Sequence, residues 1–241
     1  MALSGFLMCF GAFPQNEHHQ VTIKSKHTVE ALKFMADIYQ RGETDEIFGW
    51  DPAGNNNFLY SGRGSLILNA ISATRTPEDR GLPFANDLWI WPIPKGPNGR
   101  LGLEHVMGVY VIWKFAKNKA GAKKYLADMA INYQQHFLNS KFYNFPTFPG
   151  AVKNIQRQLA QDKHKPLGKY GILTTIAQKY TTNPGYPGYA NAAFGEMFSK
   201  FLIPQMFAQV SQKKMTASEA ASAAAHEMKP IFDKWRKKKK I

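Results

Sequence analysis

Apolar residues recur every three positions in 28–40, where Val29, Leu32, Met35 and Ile38 share one face and Lys33, Asp37 and Gln40 fall elsewhere. The spacing predicts a helix, capped by Ser25 or Thr28 and ended at Gly42, where a left-handed backbone is tolerated. A polar, turn-rich segment follows at 49–57, with Asp51-Pro52 and three consecutive asparagines, and then a short helix at 57–61. Beyond Gly62-Arg63-Gly64, the run Ser65-Leu66-Ile67-Leu68-Asn69 reads as a buried strand. Residues 88–93 alternate large apolar and aromatic side chains up to a turn signal at 94–99, with Trp89 and Trp91 read as core. A further strand is predicted at 105–115. A helix is predicted at 119–132, with Ala122, Tyr125, Leu126 and Met129 facing inward. The segment 142–149 is a constrained aromatic loop holding Phe142, Tyr143, Phe145, Pro146, Phe148 and Pro149. Helices follow at 152–161, 167–178, 194–210 with a kink at Pro204, and 216–235, the last opened by the capping box Thr216-x-x-Glu219. Strands interspersed with helices predict an α/β chain, and no internal repeat or low-complexity linker divides it.

Composition adds a constraint and a question. With 44% hydrophobic and 20% charged residues over 241 positions, the chain is neither disordered nor fibrous. No apolar run approaches the roughly 18 residues of a bilayer span, so membrane insertion is not expected. The early apolar stretch 6–13 is shorter still and no Lys or Arg precedes it, so no export signal is read here. Cys9 stands alone, which rules out an internal disulfide. The net charge of +14 raises the question of an anionic partner such as nucleic acid. Its distribution argues against one. Residues 236–240 form a single basic run that reads as a solvated tail, and the other basic residues are scattered, without RNP aromatics or zinc-finger spacing.

Catalytic signatures are missing. There is no Gly-x-Ser-x-Gly elbow, and Ile67 occupies the third position of the Gly62-x-Gly64 fingerprint. His18 and His19 point apart if extended, so neither a metal nor any cofactor is expected. Glu43, Asp45, Glu46 and Asp51 lie close enough in sequence for a carboxylate pair, but they also read as an ordinary solvated loop. Polar-aromatic clusters are more suggestive. Trp50 with Asn55, Asn56 and Asn57 forms one, and Asn69, Ser72 and Arg75 form another at the end of the predicted strand 65–69. Tyr143 and Tyr186 sit in loops constrained by Pro and Gly. Stacking rings beside amide, hydroxyl and guanidinium groups suit a sugar or polyol. Taken singly, each aromatic reads more readily as core or loop packing. Two alternatives stay open: a carbohydrate-active enzyme using Glu46 or Asp51, and a nucleic-acid module acting through the basic tail.

The order of these elements resembles the C-terminal part of bacterial extracellular solute-binding proteins of the sugar-binding family, which serve ABC importers. The resemblance rests on Ser25-x-x-Thr28-Val29-Glu30-Ala31-Leu32-Lys33-Phe34-Met35 and the stretch from Asn55-Asn56-Asn57-Phe58-Leu59-Tyr60 through Asn69. It continues through Trp91-Pro92-Ile93-Pro94-Lys95-Gly96-Pro97, Lys117-Asn118-Lys119-x-x-Ala122 and Gly185-Tyr186-Pro187-Gly188. Met206-Phe207-Ala208-x-Val210, Thr216-Ala217-Ser218-Glu219-Ala220 and Trp235 close it. The resemblance implies an incomplete periplasmic-binding-protein fold of type II, with residues 1–103 and 160–241 in the C-terminal lobe. Residues 104–159 would be the return segment of a truncated N-terminal lobe. It further implies capture of a small solute for membrane permease subunits, without catalysis, in the periplasm or extracellular space for the full-length parent. Asn69 matches a position that commonly lines the family's cleft, whereas Ser72 stands where some relatives carry a stacking aromatic.

Overall fold

The computed structural model describes residues 2–101, 103–104 and 108–241, with backbone alone at Leu103, Glu104 and Pro149. In chain order the helices are α1 (Ala2–Cys9), α2 (Lys26–Gly42), α3 (Gly54–Tyr60), α4 (Ser72–Asp79), α5 (Lys119–Ile131) and α6 (Tyr133–Asn139). They continue with α7 (Ile155–Ala160), α8 (Leu173–Lys179), α9 (Ala192–Ser199), α10 (Leu202–Ser211) and α11 (Ala217–Lys237). Among the described residues the sheet is a single parallel ladder, β1 (Leu103–Glu104) on β2 (Thr181–Thr182). The chain forms two compact units. The first contains Met1–Leu68, Pro92–Val106 and Gln178–Ile241; the second contains Asn69–Trp91 and Met107–Ala177.

The first unit is built on helix faces. Ser25 caps α2 by accepting the Thr28 amide, and α2 ends by a bond from the Glu43 amide to the Tyr39 carbonyl, with Glu43 extended and Gly42 still helical. Helix α10 packs on both α2 and α11. Leu7, Leu32, Met197, Met206, Met228 and Phe232 share one core, each almost fully removed from water. The capping box of α11 forms in both directions: the Thr216 hydroxyl accepts from the Glu219 amide, and the Glu219 carboxylate accepts from the Thr216 amide. The helix expected at 194–210 is two helices. The break falls at Phe201, whose φ of 56° is left-handed, so Pro204 occupies the first turn of α10, where its absent N–H is not needed.

The second unit packs around aromatics. Phe137 lies 5.0 Å from Phe142 and 5.8 Å from Phe145, and the Phe142 ring meets Tyr170 at 5.9 Å. The tryptophan assignment is corrected here. Trp89 is 55% and Trp91 76% exposed, because alternation places both on the face opposite Leu88 and Ile90. Residues 65–69, 88–93 and 108–115 make no ladder, since a strand exists only with a paired neighbour; 105–107 fall outside the described residues. Helix α5 forms where expected, capped by Asn118, but none of its residues is buried and Tyr125 is 66% exposed rather than inward. The helix expected at 167–178 is a 3-10 turn, Lys169–Ile172, leading into α8.

Candidate functional site

In the first unit, the 3-10 turn Asp45–Gly49 delivers Trp50 onto the start of α3. A Cβ at Gly54 would lie 2.4 Å from the indole, so the ring rests directly on glycine backbone. Phe58 packs against it at 5.2 Å, and the Arg63 guanidinium covers Phe58 at 5.0 Å. Asn55 donates to the Leu68 carbonyl at 3.3 Å, tying α3 to the segment before Asn69.

Tyr186 lies elsewhere in the same unit, on a loop that sequence reading did not connect to Gln15. The Gln15 side chain is wholly buried, donates to the carbonyls of Gly185 at 2.5 Å and Tyr189 at 3.1 Å, and accepts from Asn191 at 2.9 Å. Asn191 caps α9 with its other amide atom. Gly188 presses on the Asn16 carbonyl, where a Cβ would meet oxygen at 2.8 Å. This scaffold holds Tyr186 and Tyr189 37% and 60% exposed, with Tyr186 edge-on to Phe13 and Tyr189 against His19.

In the second unit, Asn69 is exposed and accepts from the Ala70 amide at 2.7 Å, and Ser72 begins α4. Tyr143 is 54% exposed. Arg75 is buried, and its guanidinium is fully engaged. Nε donates to the Lys141 carbonyl at 2.9 Å, Nη1 to Glu78 at 2.8 Å and Nη2 to Asp162 at 2.9 Å, while the plane covers Tyr170 at 3.6 Å. Lys169, also buried, pairs with Glu78 at 2.5 Å, and the Tyr170 hydroxyl donates to the same carboxylate at 2.9 Å. His164 completes the cluster, 2.9 Å from Asp162. Burial works against the Asp162 charge, but hydrogen bonds from Arg75 and from the His164 amide and ring hold its carboxyl below the usual range. Burial pushes the Tyr170 phenol up. No sequence signal marks this network, whose members lie 87 or more positions apart across its longest links.

The loop carboxylates have structural partners. Glu46 is gripped by Arg63 at 2.7 and 3.1 Å, which keeps it ionised, below its ordinary pKa. Asp51 accepts from the Ala53 amide, and Asp45 accepts from the Tyr39 hydroxyl. Asp45 and Tyr39, with Gln40, Phe48, Ser211 and Lys213, line an open groove of about 460 Å³, which Asp51 does not reach. Burial pushes the Cys9 thiol up, away from a reactive thiolate. Among the described residues no group of three or more His, Cys, Asp or Glu is placed to hold a metal. No helix there is long and apolar enough to cross a membrane.

No family model and no curated protein sequence matches the chain. Solved structures do. A provisionally assigned oligosaccharide periplasmic-binding protein from Synechococcus sp. MITs9220 superposes with a TM-score of 0.73 at 11% identity, over 96% of this chain and 57% of its own. The maltose-bound MalE3 of T. maritima matches with a TM-score of 0.70 at 19% identity, over 94% of this chain and 56% of its own. An ABC transporter solute-binding protein from Thermotoga lettingae TMO, bound to α-D-tagatose, matches with a TM-score of 0.71 at 16% identity, over 96% and 56%. The chain spans little more than half the length of these proteins. It has the α/β fold of the sugar-binding periplasmic proteins that its sequence resembles, in incomplete form.

Proposed function

We propose that this chain belongs to the solute-binding component of an ABC import system, capturing a small carbohydrate or polyol for a membrane permease without chemical turnover. The observation that carries the reading is the fold match, which takes in 96% of the chain against proteins described as binding oligosaccharide or α-D-tagatose. The same match supports periplasmic or extracellular placement of the complete protein. In this reading residues 1–103 and 160–241 belong to the C-terminal lobe and 104–159 return from the other.

The residues supply suitable chemistry. In the first unit Trp50 offers an indole, Asn55 an amide, and Tyr186 a phenol ring on a braced loop. In the second unit Asn69, Ser72 and Tyr143 are the proposed contacts. Arg75 contributes by fixing the α4 backbone from which Ser72 projects, since its own donors are committed.

Calorimetric titration with maltose and D-tagatose tests the reading. If this chain supplies half of a micromolar binding free energy of about −8 kcal/mol, its own affinity is roughly millimolar. That affinity, insensitive to salt and without product formation, is the expected result. No saccharide signal up to about 50 mM, more than an order of magnitude beyond millimolar, overturns the carbohydrate reading. Glycoside turnover abolished by Asp51→Asn would establish an enzyme. Oligonucleotide binding that falls steeply with salt and is lost on removing 236–240 would establish a nucleic-acid module.

A further inference from the structure

The basic run at 236–240 reads from the sequence as a solvated tail, yet the structure folds it. Helix α11 continues through Lys237 and closes with two backbone bonds. The Lys240 amide donates to the Trp235 carbonyl at 3.0 Å, and the Lys239 amide to the Arg236 carbonyl at 2.9 Å. This closure needs a left-handed residue, commonly glycine, and Lys239 takes that place with φ at 52°. Trp235 and Ile241 pack on the core of the first unit, one on each side of the turn, and the Arg236 guanidinium donates to the His19 carbonyl at 3.1 Å. Four consecutive exposed lysines, Lys237, Lys238, Lys239 and Lys240, are thus pinned to one short turn.

Charge around that turn is unbalanced. Asp233 pairs with Arg236, and Glu196 is shared by Lys200, Lys234 and the Trp235 indole N–H. The four lysines have no carboxylate partner among the described residues. With Lys200, Lys234 and Arg236 they make seven basic groups against two carboxylates, an excess of +5. That is far above the roughly half a negative charge of a helix C-terminus. Like charges held so close repel one another, and an anionic surface relieves the repulsion.

We propose that this turn is a docking surface for anionic phospholipid headgroups, holding the protein against a membrane face without insertion. Charge complementarity selects an anionic partner, and the kinds of side chain select lipid. Both terminal nitrogens of Arg236 are committed, to Asp233 and to the His19 carbonyl. The Trp235 ring is covered by Lys234 at 5.3 Å and Lys238 at 5.0 Å. Neither a guanidinium fork nor a free ring remains in the run for reading or stacking on a nucleotide. Flexible lysines fanned around a helix end present point charges without a fixed register, which suits headgroups that move laterally to meet them. The choice of a membrane rests on the proposed delivery of solute to a permease, but the docking involves no solute contact.

The test is co-sedimentation with phosphatidylcholine vesicles, plain or containing about one-third phosphatidylglycerol, at low salt. Binding is expected to the charged vesicles only, with release near 0.5 M NaCl, where the screening length is about 4 Å. At about fivefold per lysine, the variant Lys237→Gln, Lys238→Gln, Lys239→Gln, Lys240→Gln should bind roughly several hundred-fold more weakly. It should melt like the parent, since all four side chains are exposed. The control Lys119→Gln, Lys123→Gln, Lys124→Gln, Lys153→Gln removes as much charge from the second unit and should keep its binding. In the parent chain, vesicles should slow acetylation of the four lysines about tenfold, as contact with a surface implies, and leave Lys119, Lys123 and Lys124 as reactive as before. Four outcomes overturn the proposal: charged and plain vesicles bind alike; the control variant loses as much as the first; the four lysines stay reactive on vesicles; or a single-stranded oligonucleotide or poly-L-glutamate of matched charge displaces the chain from them. None of these readouts involves a sugar, so a failure here is distinguishable from a failure of the solute-binding reading.

Discussion

Replacing Glu78 by Gln should be among the most damaging single changes in the second unit. The Glu78 side chain is 2% exposed and faces Arg75 at 2.8 Å, Lys169 at 2.5 Å and the Tyr170 hydroxyl at 2.9 Å. The amide keeps the shape and loses the charge, leaving the Lys169 ammonium, whose side chain is 0% exposed, with neutral acceptors in place of its carboxylate, the backbone carbonyls of Lys165 and Ala85 among them. Stripping one partner from a buried pair costs about 3–5 kcal/mol, a large share of the 5–15 kcal/mol that typically stabilises a domain. Pairing Glu78→Gln with Lys169→Met removes one charge of each sign and puts an apolar chain along the lysine's path. That combination should recover about 2 kcal/mol of the loss. Urea denaturation gives the totals. Hydrogen exchange resolved by peptide should locate the loss of protection in 69–85 and 160–177, with α2 and α11 unaffected. A Glu78→Gln cost below about 1 kcal/mol, the value of an exposed ion pair, would show that the cluster is solvated and the reasoning mistaken.

Gln15→Leu should remove the side-chain donor to the Gly185 carbonyl and leave the Tyr189 carbonyl with Asn191 alone, cost about 1–3 kcal/mol and speed amide exchange across 185–194; unchanged exchange there would mean that other contacts set the loop. Acid should weaken the link between α9 and α11. Lys234, the Trp235 indole N–H and Lys200 hold Glu196 down to about 2 from 4.5. The stabilisation from that depressed carboxylate is complete above pH 4.5 and is lost as pH falls towards 2. A melting-temperature difference between the parent chain and Glu196→Gln should therefore close over that interval, and a gap that persists at pH 2 would contradict the assignment. Thr216→Ala removes the hydroxyl half of the α11 capping box and should cost about 0.5–2 kcal/mol by thermal unfolding.

Helices α2 and α11 could be read from the sequence because their determinants are local: an apolar stripe of helical period and a cap within three residues of the start. Residues 88–91 show where that kind of reading stops. Alternation fixes which side chains share a face, but not which face is covered, and Trp89 and Trp91 lie on the uncovered one. The strands expected at 65–69 and 88–93 had the right composition, but pairing depends on a neighbour that the local sequence does not specify. The candidate site divides along the same line. Trp50 and Asn55 could be singled out as an aromatic beside amides, whereas Gln15, buried beneath a loop 170 positions away, and the partners of Arg75 beyond position 160 become visible only once the chain is folded.

The first unit is assembled from three separate stretches of chain, and its core residues Leu7 and Leu32 pack with Met206 and Met228 from the last of them. Synthesis on the ribosome delivers these pieces in order. At about 5–20 residues per second, roughly ten to forty seconds separate the end of α2 from the end of α11. For most of that interval the apolar faces of α1 and α2 have been made and their partners in α10 and α11 have not. Both stretches of the second unit emerge first, so its Arg75 and Asp162 can meet before the first unit closes. The nascent chain is thus most vulnerable during translation, and its soluble yield should depend on elongation rate and on holding chaperones more steeply than the stability of the finished fold implies.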